Sequence, residues 1–187
     1  MTNYSMTKTA LAGSLLYKLL LRNAAGRSME NDREVSQKLL STSGKGVELD
    51  KAIKPWRGGY DAKKDVLRFN PETNPGIIAR EMATMSNPSI VKKLGITGAI
   101  APLLGSAGAW LAPTEDMRRD FATYSTLATL PRFTNTVMSG IKGVGLLNAH
   151  GGSPLSKVLA AGRIPGAIVA LASPAMAFHA RQNLFKG

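Results

Sequence analysis

Cysteine is absent from the 187 residues. That excludes disulfides, thiolate metal sites and cysteine nucleophiles. Histidine is nearly absent. His150 and His179 are the only two, and two cannot make a three-histidine metal site within one chain. Acid is missing from the final third. All twelve acidic residues lie at or before Asp120, and residues 121–187 carry six bases instead: Arg132, Lys142, Lys157, Arg163, Arg181 and Lys186. Aromatic residues are few, so Ala, Gly, Leu and Ile supply most of the apolar mass. Small residues at that density suit close helix packing, including packing in lipid. Charged residues make up 19%, below the roughly one quarter usual in globular domains.

What remains is a basic chain, with a formal net charge of +12. An apolar, acid-free, sparsely basic tail fits an anionic lipid surface. Nucleic acid would attract the same charge, but its binders show denser basic clusters with interleaved aromatics. Here single bases stand between apolar runs, which favours lipid. No cleavable signal peptide is evident, because Lys18 interrupts the apolar stretch 10–21 and no small-x-small site follows.

The pattern predicts a mainly α fold. A helix is expected over 7–22, with Leu11, Leu15 and Leu19 recurring at i+4, and a polar one over 28–40. The STSGKG loop at 41–46 lacks the phosphate-loop frame, and no apolar strand precedes it. Residues 58–70 read as a small β hairpin, with Tyr60, Val66, Leu67 and Phe69 flanking a turn at 62–65. Two long apolar helices are expected. The first follows Lys92 and Lys93 and comprises 21 uncharged residues, 94–114, with Trp110 near its far end. At 1.5 Å per residue it would reach about 30 Å, one hydrocarbon core. Pro102 is expected to interrupt it. The second comprises 17 uncharged residues, 164–180, between Arg163 and Arg181, with Ile168, Val169 and Leu171 in its apolar body. Both runs are compatible with lipid and with a soluble core. Ala101, Gly105 and Ala109 make a small-residue stripe beside Leu103 and Leu104, suited to helix–helix contact within the chain or between copies in a homo-oligomer. Thr114 is the expected N-cap of a helix ending near Leu130, with Pro131 starting the next. The chain reads as one domain, 1–187, with an N-terminal helical region (1–54), a hairpin and motif helix (55–85) and an apolar helical region (86–187).

One segment carries a motif: Asn74-Pro75-Gly76-Ile77-Ile78-Ala79-Arg80-Glu81-Met82-Ala83-Thr84-Met85. It resembles the segment of membrane-associated zinc peptidases of the gluzincin type in which an Asn-Pro-Gly opening leads into H-E-x-x-H. The resemblance extends over about 55–147, through the hairpin before the motif and the apolar helices after it. In that family two histidines bind zinc, the Glu between them is the general base, and a later helix supplies an acidic third ligand. Here Arg80 and Thr84 stand at the histidine positions, and 132–139, where the third ligand should fall, has no carboxylate. The resemblance therefore implies a relative that has lost its metal and its catalysis, with Arg80, Glu81 and Thr84 as a vestigial motif. No cofactor is expected. No G-x-S-x-G nucleophile elbow occurs either.

The expected function is that of a non-catalytic, membrane-associated structural protein. Small basic Gly/Ala-rich helical chains of this type are similar to minor virion proteins of bacteriophages. The expected partners are then a lipid bilayer and other virion or membrane proteins. The expected location is an internal viral membrane or the host envelope, with a role in membrane organisation or genome delivery. Two alternatives stand beside it. A basic capsid-interior protein would bind nucleic acid in a salt-dependent way. A membrane-bound peptidase would need Glu81 and non-standard ligands.

Overall fold

A computed structural model describes Leu19 and residues 30–55, 57–61, 64, 66–88 and 98–185. Leu19 aside, the helix expected over 7–22 lies outside the described residues, as do Lys92, Lys93 and the start of the first apolar run. The described elements are α1 (Glu30–Ser41), β1 (Gly46–Leu49), β2 (Gly58–Asp61), β3 (Val66–Phe69), α2 (Pro75–Met85), α3 (Ala101–Leu111), α4 (Glu115–Ala149), α5 (Pro154–Ala161) and α6 (Ile164–Phe185). The fold is mainly helical, as expected, with a small mixed sheet.

The described residues fall into two compact units, each drawn from two stretches of chain. The sheet unit contains residues 30–87 and 137–163. Its strands β2 and β3 form the expected hairpin, with Tyr60 opposite Leu67 and Asp61 opposite Val66. The sheet also has a third strand that the sequence pattern does not signal: β1 pairs parallel to β3, placing β3 in the centre. Alternation along β3 sends Leu67 and Phe69 inward. They meet Val35 and Leu39 of α1, Ile78 and Ala79 of α2, Leu147 of α4 and Ala160 of α5. This is a conventional water-excluding core of large aliphatic and aromatic side chains. α2 starts where its sequence says: the Asn74 carboxamide oxygen accepts from the Gly76 amide at 2.8 Å, and Pro75 occupies the first turn.

The apolar unit contains residues 98–136 and 164–185. In it α3 packs along α6, and α4 returns antiparallel to α3 after a short turn. Thr114 caps α4 as expected, accepting from the Met117 amide at 3.3 Å.

Two expectations about this region are corrected. The first apolar run is not a membrane-length helix in its described part. Residues 98–100 form a turn, and α3 has only 11 residues, about 16 Å. Pro102 lies in the first turn of α3, where its missing N–H costs nothing, so it starts the helix rather than interrupting one. Ala112, which precedes Pro113, turns extended (φ −59°, ψ 142°) and ends it. Among the described residues one helical stretch, Pro154–Phe185, is long and apolar enough to cross a membrane, not two. The second correction concerns Pro131. No new helix starts there; it lies inside α4, which runs unbroken for 35 residues. Pro131 removes one backbone hydrogen bond, but buried Ala122 and Thr129 before it and Ser139 after it anchor the helix on both sides.

Candidate functional site

The motif helix brings its three singled-out residues to one place in the sheet unit. Arg80 is buried, and its guanidinium donates to Glu81 Oε1 through Nη2 at 2.8 Å and Nε at 3.2 Å. Arg163 Nη1 stands 3.7 Å from the same oxygen. Glu81 is thus held by one buried guanidinium, with a second, exposed one nearby. Against this turn lies α4, and Gly143 is what lets it approach: a Cβ there would be 3.2 Å from the Arg80 backbone nitrogen and Cα.

The second histidine position of the resemblance, Thr84, faces the helix expected to carry the third ligand. Thr84 Oγ1 is 2.9 Å from Ser139 Oγ and 2.9 Å from the Arg80 carbonyl. Asn87, buried, donates through Nδ2 to the same Ser139 hydroxyl at 2.9 Å. That fixes the amide orientation, so Asn87 Oδ1 accepts from Lys142 Nζ at 3.0 Å, with Ser86 Oγ at 3.4 Å. Hydroxyls, an amide and an ammonium therefore stand together where a metal centre would need imidazoles and a carboxylate. Among the described residues no three of His, Cys, Asp and Glu cluster as a metal site. His150 Nδ1 contacts the Leu146 carbonyl oxygen at 2.8 Å, and His179 stacks edge-on against Phe178.

Lys142 and Ser139 are functional candidates that the motif alone does not reveal. Their signal is spacing. Ser139 and Lys142 are i,i+3 on α4, Thr84 and Asn87 are i,i+3 from the end of α2, and the two pairs face each other.

The residues expected to pack helices or meet lipid lie in the apolar unit, where they sort by size. Ala101, Gly105 and Ala109 are all buried on α3. A Cβ on Gly105 would collide with the Ser125 side chain of α4. Leu103, Leu104 and Trp110 point outward, as do Ile100 and Leu111, and Leu103 and Leu111 are 73% and 75% exposed. On α4, Met117, Phe121, Tyr124 and Leu127 are exposed while Ala122 and Thr129 are buried. On α6, Ile168 is exposed, Val169 and Leu171 are half-buried, and Arg181 stands 5.3 Å over the Phe185 ring. The fully buried positions of α3 are thus small and its most exposed ones large and apolar, whereas the sheet unit buries Phe69, Leu39 and Leu67.

Several hydroxyls in this unit bond back to their own helix. Ser106 donates to the Pro102 carbonyl, Thr126 to Ala122, Thr129 to Ser125 and Thr136 to Arg132, each one turn back along its own helix. Pro174 leaves the Ala170 carbonyl without its usual amide, and Ser173 Oγ donates to that oxygen at 3.1 Å.

Gly105→Leu is therefore expected to destabilise the apolar unit by about 3 kcal/mol or more, since the added bulk meets a helix that cannot recede cheaply. Leu104→Ile, at an exposed position, should cost under about 0.5 kcal/mol. Thermal melts of the two variants check this, and equal melting temperatures would contradict a close-packed stripe. No family model, curated protein or solved structure matches the chain.

Proposed function

We propose that the protein is a non-catalytic, membrane-associated structural protein whose apolar unit is embedded in lipid. The observation that carries this is the inverted partition in that unit: Ala and Gly inside, Leu, Ile, Phe and Met outside. Water disfavours a continuous exposed surface of this kind, whereas lipid accepts it and rewards small residues at helix contacts. The back-bonded hydroxyls support the same reading, because polar groups in hydrocarbon must be satisfied internally. Charges gather where α3, α4 and α6 share an end: Asp116 pairs with Arg119, and Glu115 accepts from Gln182. Such a pole suits the headgroup layer. The surroundings of Glu81 support a scaffold role for the motif. In the virion setting that the resemblance to minor phage proteins implies, the lipid would be an internal viral membrane or the host envelope.

Liposome flotation of the purified full chain tests this, in high salt and again after an alkaline wash. Apolar burial is not screened by salt, so the protein should rise with neutral vesicles in both conditions. Protein remaining at the bottom would overturn the proposal and point to a protein-covered face.

A further inference from the structure

The apolar unit has a groove of about 510 Å³ along one side of α4. Met117, Asp120, Phe121, Tyr124, Ser125 and Ala128 line it, and their three- and four-residue steps put them on one helix face. That face runs for about 16 Å. Ala101 and Leu104 of α3 line the groove as well. Glycines bring the two helices this close: a Cβ on Gly105 would collide with the Ser125 side chain, and one on Gly108 with the Phe121 ring.

The groove has two unlike ends. Ala101 and Ala128 lie toward one, and Asp120 stands toward the other, near the start of α4. Asp120 is the one charged residue among the described residues of the lining. The other charges at this end are engaged. Asp116 holds Arg119 at 2.9 Å, and Glu115 accepts from Gln182 at 2.6 Å. The Arg118 guanidinium donates to the Ala112 and Pro113 carbonyls at 2.9 and 3.3 Å. The Asp120 carboxylate pairs with no described residue. A carboxylate on a face that meets lipid needs a counter-charge. A headgroup ammonium supplies one, and the aromatic surface of Phe121 and Tyr124 in the same groove favours alkylammonium groups.

We infer that this groove seats a membrane lipid with an ammonium headgroup, the ammonium at Asp120 and the acyl chain along Phe121 and Leu104 toward Ala101 and Ala128. Such a lipid reaches the groove from a bilayer only if the unit is embedded there, so this seat rests on that reading of the unit. The chain has a net charge of +12, yet at this groove it selects a cation.

Calorimetric titration of the full chain in neutral dodecyl maltoside micelles, with the micelle blank subtracted, uses three probes: decyltrimethylammonium, the neutral decyldimethylphosphine oxide, and tetramethylammonium. Decyltrimethylammonium should saturate one site per chain. The phosphine oxide should bind about fivefold more weakly, for want of the charge pair. Tetramethylammonium should bind at least about tenfold more weakly, for want of the chain. Asp120→Asn should bring decyltrimethylammonium down to the level of the phosphine oxide and leave the phosphine oxide unchanged. Asp116→Asn, one turn away and outside the lining, should change neither. Both aspartates are exposed, and unchanged melting temperatures of the variants exclude misfolding as the cause. Equal binding of the cationic and neutral decyl probes, unchanged affinity in Asp120→Asn, or an equal loss in Asp116→Asn would overturn the ammonium seat. Tetramethylammonium matching decyltrimethylammonium would overturn its acyl half. Micelles separate the groove from the bilayer. An Asp120-dependent site in a chain that does not float with vesicles would overturn the bilayer source, whereas a chain that floats without such a site would overturn the groove alone.

Discussion

Glu81→Gln is expected to destabilise the sheet unit by about 3–5 kcal/mol, the usual cost of removing one partner from a buried ion pair. The side chains of Arg80 and Glu81 are 4% and 13% exposed, so solvent cannot replace the lost carboxylate at the guanidinium. Arg163, whose side chain is 57% exposed and 3.7 Å away, contributes far less, and Arg163→Gln should cost under about 1 kcal/mol. Arg80→Met combined with Glu81→Gln should recover much of the loss, because Met replaces the aliphatic stem and no charge is left buried. Thermal melts followed by circular dichroism distinguish the three. If Glu81→Gln melts with the wild type, the pair is not a structural element and the carboxylate is available for another role.

Leu103→Asp with Leu104→Asp is expected to abolish flotation on neutral vesicles. Both leucines are exposed on α3, so neither aspartate meets a buried neighbour and the unit keeps its internal packing. Each acid carried to hydrocarbon depth costs about 3 kcal/mol, and each lost leucine removes further apolar burial. The two together exceed the margin of any reversible association of modest strength. Leu49→Asp is the matched control. It also replaces an exposed leucine, but on β1 in the sheet unit, and it should float as the wild type does. Loss of flotation in all variants alike would mean that the α3 face is not the inserted surface.

Local chemistry made much of this fold readable. Asn74 with Pro75 and Thr114 with Glu115 mark helix starts because a side-chain acceptor and a constrained φ act within one turn. The β2–β3 hairpin follows from strand-forming residues on either side of a short turn. β1 is hidden because a four-residue strand with three exposed positions has no alternation to detect. Pro102 and Pro131 were each expected to break or restart a helix, and the same ring has opposite outcomes: at Pro102 a helix begins, at Pro131 one continues. What differs is the tertiary anchoring on each side, which no window of sequence reports. The site divides similarly. Arg80, Glu81 and Thr84 lie on one turn and are visible as a motif. The meeting of Thr84 with Ser139 and of Asn87 with Lys142 spans more than fifty residues of chain and exists only once α4 has packed at Gly143.

The size sorting in the apolar unit has a calorimetric consequence. Heat capacity rises on unfolding in proportion to the apolar area newly exposed to water. Ala101, Ala109, Ala112 and Ala122, the buried alanines of the apolar unit, have little area to expose, and large residues such as Leu103, Leu111 and Tyr124 face outward already. In water the fully buried side chains therefore contribute more to the heat-capacity increment in the unit cored by Leu39, Leu67, Phe69 and Leu147. The alanine-cored unit would unfold with an enthalpy that changes less with temperature, by what side chains such as Val169 and Leu171 hide from water.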